Sequence, residues 1–334
     1  VYTEWQNSDY KNGGSLEQGC IDCHMPRVDS WVSISNRPNG LAPRYGFSSH
    51  RFLGANTVMM DILADNAAEL DVNADGFDEA IAQNRGFLQT SASLEIISAT
   101  IEDGRLEFVL KVNNHTGHKL PASYPSRRVY IHFLVKDSDG SVLFESGKTN
   151  PDGSIEGLDS DSTPYDNYEP HYQVVNSPEQ VQAYESIMQN TDNEITHTLL
   201  RAASYRKDNR ITPTGFNKHV VPSDVEVKGG AVADRDFNLG SDTIRYSVPL
   251  GKAREIEVEV NLNYQALAYG HLQDMFADAG EIEAVADFEP MFANADIRLE
   301  TLASTSWRSV AVKENDDDFI VIPTLGGSVV VFPL

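Results

Sequence analysis

The chain has 334 residues and 40% apolar content, which suits two packed domains and sets aside a disordered chain. Lys and Arg total 26 against 50 Asp and Glu, a formal charge of −24, which argues against nucleic acid or an anionic membrane as partner. No apolar run approaches a membrane span, and two cysteines are too few for a disulfide framework.

The first residues, Val1-Tyr2-Thr3-Glu4-Trp5, carry no basic start and no apolar stretch. The expectation is a secreted chain whose signal peptide has been removed. Residues 1–91 are polar and loop-rich, with short helical stretches, and are expected to form one small module. Both cysteines fall within it, in Cys20-Ile21-Asp22-Cys23-His24. This is the C-x-x-C-H pattern of covalent haem c attachment. Two thiols at this spacing reach both vinyl groups of one porphyrin, and the adjacent histidine is held beneath the iron. The competing readings are weaker. A disulfide across two residues is strained. A thioredoxin-like pair needs a βαβ context, whereas this motif follows Asn12-Gly13-Gly14-Ser15 and precedes Pro26. A structural zinc site has no second cysteine pair to use. One covalent haem c is therefore the expected cofactor. Its attachment outside the cytoplasm implies a periplasmic or extracellular protein.

Thr57 to Leu70 reads as an amphipathic helix and Phe77 to Phe87 as another. Between them, Asp71, Asn73, Asp75 and Gly76 match the first half of a calcium loop. The position that normally holds a bidentate glutamate is Ala82, so Asp78 or Glu79 would have to compensate. The alternative is an ordinary Asn/Asp/Gly turn.

From Ser93 the apolar period becomes two. Leu106, Phe108, Leu110 and Val112 alternate with more polar neighbours. Val129–Val135, the turn Asp137-Ser138-Asp139-Gly140 and Val142–Phe144 read as a hairpin. Further strands are expected at Thr243–Val248, Ile256–Tyr264, Ile297–Leu302, Ser306–Val312, Phe319–Ile322 and Val329–Phe332. The fold class expected is α+β, mainly β: a helix- and loop-rich haem c module at 1–91, then an immunoglobulin-like β-sandwich at 92–334. Two helical insertions are expected in it, near 177–190 and 265–292. The first has a capping box, Ser177-Pro178-Glu179-Gln180, followed by the stripe Val181, Tyr184, Ile187 and Met188. Between Lys148 and Arg201 there are ten acidic residues and no Lys or Arg. That stretch reads as a solvated face or as a cation-binding or docking surface.

Several stretches resemble the C-terminal part of bacterial multihaem c-type cytochromes of the cytochrome c554 type. They are Tyr2-Thr3-Glu4-Trp5, Gly19 to Pro26 around the cysteine motif, Ser49-His50-Arg51-Phe52-Leu53-Gly54, and Asn114-His115-Thr116-Gly117-His118-Lys119-Leu120-Pro121. Glu169-Pro170-His171-Tyr172-Gln173 and Lys207 to Pro213 belong with them. The resemblance implies electron transfer through bis-histidine haem, with His50 as distal ligand and His118 as another candidate. The chain departs from the pattern by having one C-x-x-C-H motif instead of several. The Trp5-Gln6-Asn7-Ser8 stretch also continues to Asp9 and Tyr10 where the family often has a histidine for a neighbouring haem.

Nine histidines are available, and His24 is assigned by the motif. His50, in a loop of the same module, is the first expectation for the sixth iron ligand. His118 or His115, at a strand-to-loop junction, would instead staple module and sandwich together through the iron. Met59 or Met60 would give His/Met ligation, and an open site is the remaining alternative. His132 alternates with Tyr130 and Leu134 in a strand and reads as structural.

The leading expectation is an electron-transfer cytochrome and not an enzyme, with redox proteins, cytochrome subunits or further copies of the chain as partners. Sandwich edges offer surfaces for such assembly, bringing haems of adjacent chains close. A haem enzyme or small-ligand sensor with an open iron site is the second expectation. A structural subunit of a larger multihaem assembly is the third.

Overall fold

A computed structural model describes residues 1–253, 255–309, 319–323 and 329–333. The chain opens with two short helices, α1 (Tyr2–Gln6) and α2 (Cys20–His24). A two-residue ladder follows, β1 (Trp31–Val32) against β2 (Arg44–Tyr45). Then come α3 (Thr57–Asp65) and α4 (Phe77–Leu88). Asn56 caps α3, its side chain accepting the Met59 N–H at 3.3 Å. This helix ends at Asp65, short of the expected Leu70, and residues 67–71 form turns.

The strands are β3 (Ala92–Glu102), β4 (Arg105–Asn114), β5 (Arg128–Asp137), β6 (Val142–Ser146), β7 (Val174–Val175), β8 (Ala183–Gln189) and β9 (Ile195–Thr196). They continue with β10 (Ser204–Asp208), β11 (Ser241–Pro249), β12 (Ile256–Gln265), β13 (Glu300–Arg308), β14 (Phe319–Pro323) and β15 (Val329–Pro333). A one-turn helix, α5 (Asp159–Ser162), lies between β6 and β7. Two longer ones, α6 (Tyr269–Phe276) and α7 (Glu283–Asn294), separate β12 from β13.

Two sheets make a β-sandwich, and the fold is mainly β with helices added. One sheet has the order β3-β4-β11-β7, antiparallel except for the β11–β7 pair. The other runs β10-β8-β5-β12-β13, with β6 on β5 and β9 on β8. The alternation expected for β4 places Leu106, Phe108, Leu110 and Val112 fully inside. From the facing sheet come Val129, Ile131, Phe133 and Val135 of β5 and Val258, Val260 and Leu262 of β12. Phe133 stacks on Tyr246 of β11 with ring centroids 3.8 Å apart, so the two layers interlock at one aromatic pair. Each such side chain stabilises the fold by roughly 1.5–3 kcal/mol through burial.

The outer face of β5 is buried as well. Tyr130 packs with Ile155, Leu158, Val181 and Ala183, so the 149–181 connection forms a third layer over the sandwich. This overturns the helix expected near 177–190. Gln180 does take the Ser177 N–H at 3.2 Å, half of the expected capping box, but the chain turns there and continues as β8. Residues 181–188 are all buried, so a helical stripe cannot be told from a strand covered on both faces. The second insertion is helical, as α6 and α7. Its Leu272, Met291 and Phe292 share a small core with Val58 and Ile62 of α3. The strands expected at Ile297–Leu302 and Ser306–Val312 are one strand, β13; residues 310–312 lie outside the described residues.

Candidate functional site

The site grows from α2. Asp22 closes the first turn by accepting the Gly19 N–H at 2.8 Å. Residues 26–28 then pair with 47–49, through Val28 N–H to the Phe47 carbonyl at 2.8 Å and Ser49 N–H to the Pro26 carbonyl at 2.9 Å. This pairing returns the chain to His24. Leu53 donates its N–H to the His24 carbonyl at 2.9 Å and offers its own carbonyl to His24 Nδ1 at 2.6 Å. Phe87 of α4 meets the same ring edge-on, with centroids 5.3 Å apart.

His118 faces His24. It sits in the β4–β5 connection, where Asn114 and Thr116 donate to its carbonyl at 2.9 and 2.7 Å. Its Nδ1 lies 2.9 Å from the Lys119 carbonyl. The two imidazole rings are 6.3 Å apart between centroids and within 14° of parallel. A carbonyl can only accept, so each neutral ring carries its proton on Nδ1 and a lone pair on Nε2. Burial pushes the His118 imidazole below its ordinary value, although the Lys119 carbonyl and Glu4 oppose this, so the ring is neutral at pH 7.

Around the two rings lies a cavity of about 570 Å³, within the range of cofactor pockets. Cys20, Cys23, His24 and His118 all line it, with Trp5, Tyr10, Phe87, Leu88 and Leu120 as apolar wall. Burial, with Asp22 and Cys20 beside it, raises the Cys23 thiol and keeps it protonated. Trp5 donates from Nε1 to the Gln18 carbonyl at 2.9 Å, and Tyr10 from its hydroxyl to the His115 carbonyl at 2.9 Å. These bonds carry the N-terminal segment across the cavity. Gly117 is tightly placed there: a Cβ would come 3.1 Å from the Trp5 side chain and 3.3 Å from that of Tyr10.

The donor set fits haem c. Two thiols and a histidine of a C-x-x-C-H motif share one apolar cavity with an opposed second imidazole. Two imidazoles binding one metal through Nε2 at about 2.0–2.1 Å each would have centroids about 6 Å apart.

His50 is not part of this arrangement. It is exposed, held between Phe47 and Phe52 at 5.5 and 5.8 Å, and does not line the cavity. The excursion after the motif does return to His24, but it presents the Leu53 backbone and not the His50 ring. His115 reaches the rim, yet its Nε2 is 2.8 Å from Ser93 Oγ. Met60 contacts Asn84, and Met59 packs on the α3–α7 core.

The segment expected as a calcium loop or a turn is a hydrogen-bonded turn here. Asn73 accepts the Asp75 N–H at 2.9 Å, and Asp71 and Gly76 take positive φ. Among the described residues, the one convergence of three metal-binding side chains is elsewhere: His171, Asp234 and Asp242, in the sandwich. There His171 Nδ1 accepts from the amides of Gln182 and Asn209 at 3.0 and 3.1 Å. Both amide oxygens already accept backbone N–H groups, so their orientation is settled. The His171 proton is thus on Nε2, 3.1 Å from Asp234, where a metal would need a lone pair. This cluster is a satisfied polar network. His132 bonds Glu145 at 2.9 Å.

The acidic stretch divides: Asp152, Glu156, Asp166, Glu179, Asp192 and Glu194 are exposed, and others are held in the interior. Asp161 is buried against Arg128, Glu185 against Lys207, and Glu169 accepts the backbone N–H groups of Asp159 and Val181. Glu4, Leu53, Trp5 and Tyr10 were not expected at the site. The stretches resembling the cytochromes contain the first three, which was the available signal.

No family model matches the chain, and no curated protein matches it. Among solved structures, the chain is similar to a penta-heme cytochrome c552 from Thermochromatium tepidum, at 13% identity and a TM-score of 0.47. The similarity covers 92% of this chain and 49% of that one, so the chain spans about half its length.

Proposed function

We propose that the protein is an extracytoplasmic c-type cytochrome, an electron carrier whose haem c is held by Cys20 and Cys23 with His24 and His118 as axial ligands. The observation that carries this reading is the near-parallel pair of imidazoles, His24 and His118, 6.3 Å apart in the cavity that Cys20 and Cys23 also line. A haem held between two imidazoles supplies a one-electron couple and no vacant coordination position. Cys20 and Cys23 anchor the porphyrin. Leu53 and Lys119 orient the two imidazoles through Nδ1. Trp5, Tyr10, Phe87 and Leu88 give the cavity apolar walls, and a less polar surround tunes the potential. Redox proteins, cytochrome subunits or further copies of the chain are the partners this role calls for.

The test is an absorption spectrum of the holoprotein, oxidised and dithionite-reduced, with and without carbon monoxide. A low-spin c-type spectrum unmoved by carbon monoxide is expected. A high-spin spectrum that shifts promptly with carbon monoxide would sink the carrier reading in favour of an open iron site.

A further inference from the structure

Behind His118 lies a cluster of four buried charges that the electron-carrier role does not by itself require. Glu4 is 2% exposed, Lys119 0%, Asp208 2% and Arg210 6%. Glu4 Oε2 accepts the Lys119 backbone N–H at 3.1 Å, and its Oε1 pairs with Arg210 at 3.1 Å. Arg210 grips Asp208 with two bonds, at 2.9 and 2.7 Å. Lys119 Nζ completes the ring on Asp208 at 2.8 Å and donates to the Glu226 carbonyl at 3.2 Å. Two buried cations and two buried anions cancel, and the Val1 ammonium lies 3.8 Å from Glu4 Oε2 at the exposed edge.

Buried ion pairs are weak stabilisers compared with well-packed apolar residues of the same volume. What this one does is immobilise a single residue. Lys119 is held by its N–H and by its side chain; its carbonyl, which accepts from His118 Nδ1, lies in the next peptide, whose Leu120 N–H donates to the Ile211 carbonyl at 2.9 Å. If Lys119 shifted, the ring would lose the carbonyl that keeps its proton on Nδ1 and leaves a lone pair on Nε2. Glu4 reaches it from α1, whose next residue, Trp5, also walls the cavity.

We infer that Glu4 is a positioning residue for His118, acting through the placement of Lys119 and the Asp208–Arg210 pair. The inference rests on His118 being the axial ligand. Closing the N-terminal segment over the cavity and aiming the distal imidazole are then one event.

The test compares wild type, Glu4→Ala and Glu4→Gln as reduced holoproteins. It reads the rate of carbon monoxide binding, which is limited by departure of the distal imidazole, and the electron paramagnetic resonance of the oxidised haem, which reports ring orientation. Thermal melting checks the fold. Glu4→Ala should bind carbon monoxide about tenfold faster or more, the effect of losing one charge-assisted hydrogen bond. Its resonance signal should broaden or shift. Glu4→Gln keeps one of the two contacts and should fall between. If Glu4→Ala does not fold, Glu4→Gln decides alone. A folded variant with wild-type rate and signal would overturn the inference while leaving the carrier reading intact. A wild type that is high-spin, or binds carbon monoxide at once, would overturn both.

Discussion

Leu53 contacts His24 twice, with its N–H on the histidine carbonyl at 2.9 Å and its carbonyl on Nδ1 at 2.6 Å. The loop carrying His50 therefore serves the motif histidine through the Leu53 backbone, and the imidazole proposed as the second iron ligand is His118. His118→Ala should convert the holoprotein to one that binds carbon monoxide readily in the reduced state, with a high-spin oxidised spectrum. His50→Ala should leave both spectra as in wild type. The reverse result would return the distal position to His50.

Glycines 117 and 86 should respond oppositely to alanine. A Cβ at Gly117 meets Trp5 and Tyr10 at 3.1 and 3.3 Å, in the strap that crosses the cavity. Overpacking there should cost about 1–3 kcal/mol and loosen the N-terminal segment. Gly86 lies inside α4 with nothing within 4 Å of its added Cβ. Gly86→Ala should stabilise by about 0.5–1 kcal/mol, because alanine loses less backbone entropy in a helix. Urea midpoints of the two variants check both signs; a stabilising Gly117→Ala would contradict the packing described.

What the sequence showed plainly was local. The Cys20-Cys23-His24 spacing, the alternation of β4 and the β5–β6 hairpin each depend on residues within one element. What it hid was set by distant packing. His118 is opposed to His24 only because β4 and β5 place their connection over α2. The role of Leu53 is a backbone role, invisible in side-chain type. The strand β8 reads as a helix because the 149–181 layer buries its second face, erasing the alternation. Two of the four buried charges behind His118 are Glu4 and Arg210, far apart in sequence and joined only by the fold.

Asp242 should make stability depend on pH in the less common direction. Burial raises its carboxyl from the ordinary 3.8 to about 6, against the opposing influence of His171 and the Tyr184 hydroxyl, with Asp234 and Asp236 adding to the rise. The folded state therefore holds this proton more tightly than the unfolded state. The contribution is full below about pH 4 and is lost as pH rises through about 6. The shift corresponds to about 3 kcal/mol. Asp242→Asn, which keeps an acceptor for Tyr184, removes the titration. The stability of wild type minus that of the variant should be larger at pH 4 than at pH 8 by about that amount. Equal differences at the two pH values would mean that Asp242 ionises freely in the folded protein.

The acidic stretch offers a sharper contrast, because its members look alike in sequence and differ in burial. Asp161 takes two bonds from the fully buried Arg128, at 2.6 and 2.8 Å, and the Ile155 N–H at 2.8 Å. Arg128 also reaches Gln265 and the Gly153 carbonyl, so this one pair ties the outer layer to β5 and β12. Removing the carboxylate leaves a guanidinium in the interior with its principal partner gone. Asp161→Ala should cost about 3–5 kcal/mol. Glu156, which pairs with Lys148 at 3.0 Å on the surface, should be replaceable by alanine with no measurable change. Denaturant titrations of both variants test the ranking. A small loss at Asp161 would mean that water reaches Arg128, and that the 149–181 layer does not seal the outer face of β5.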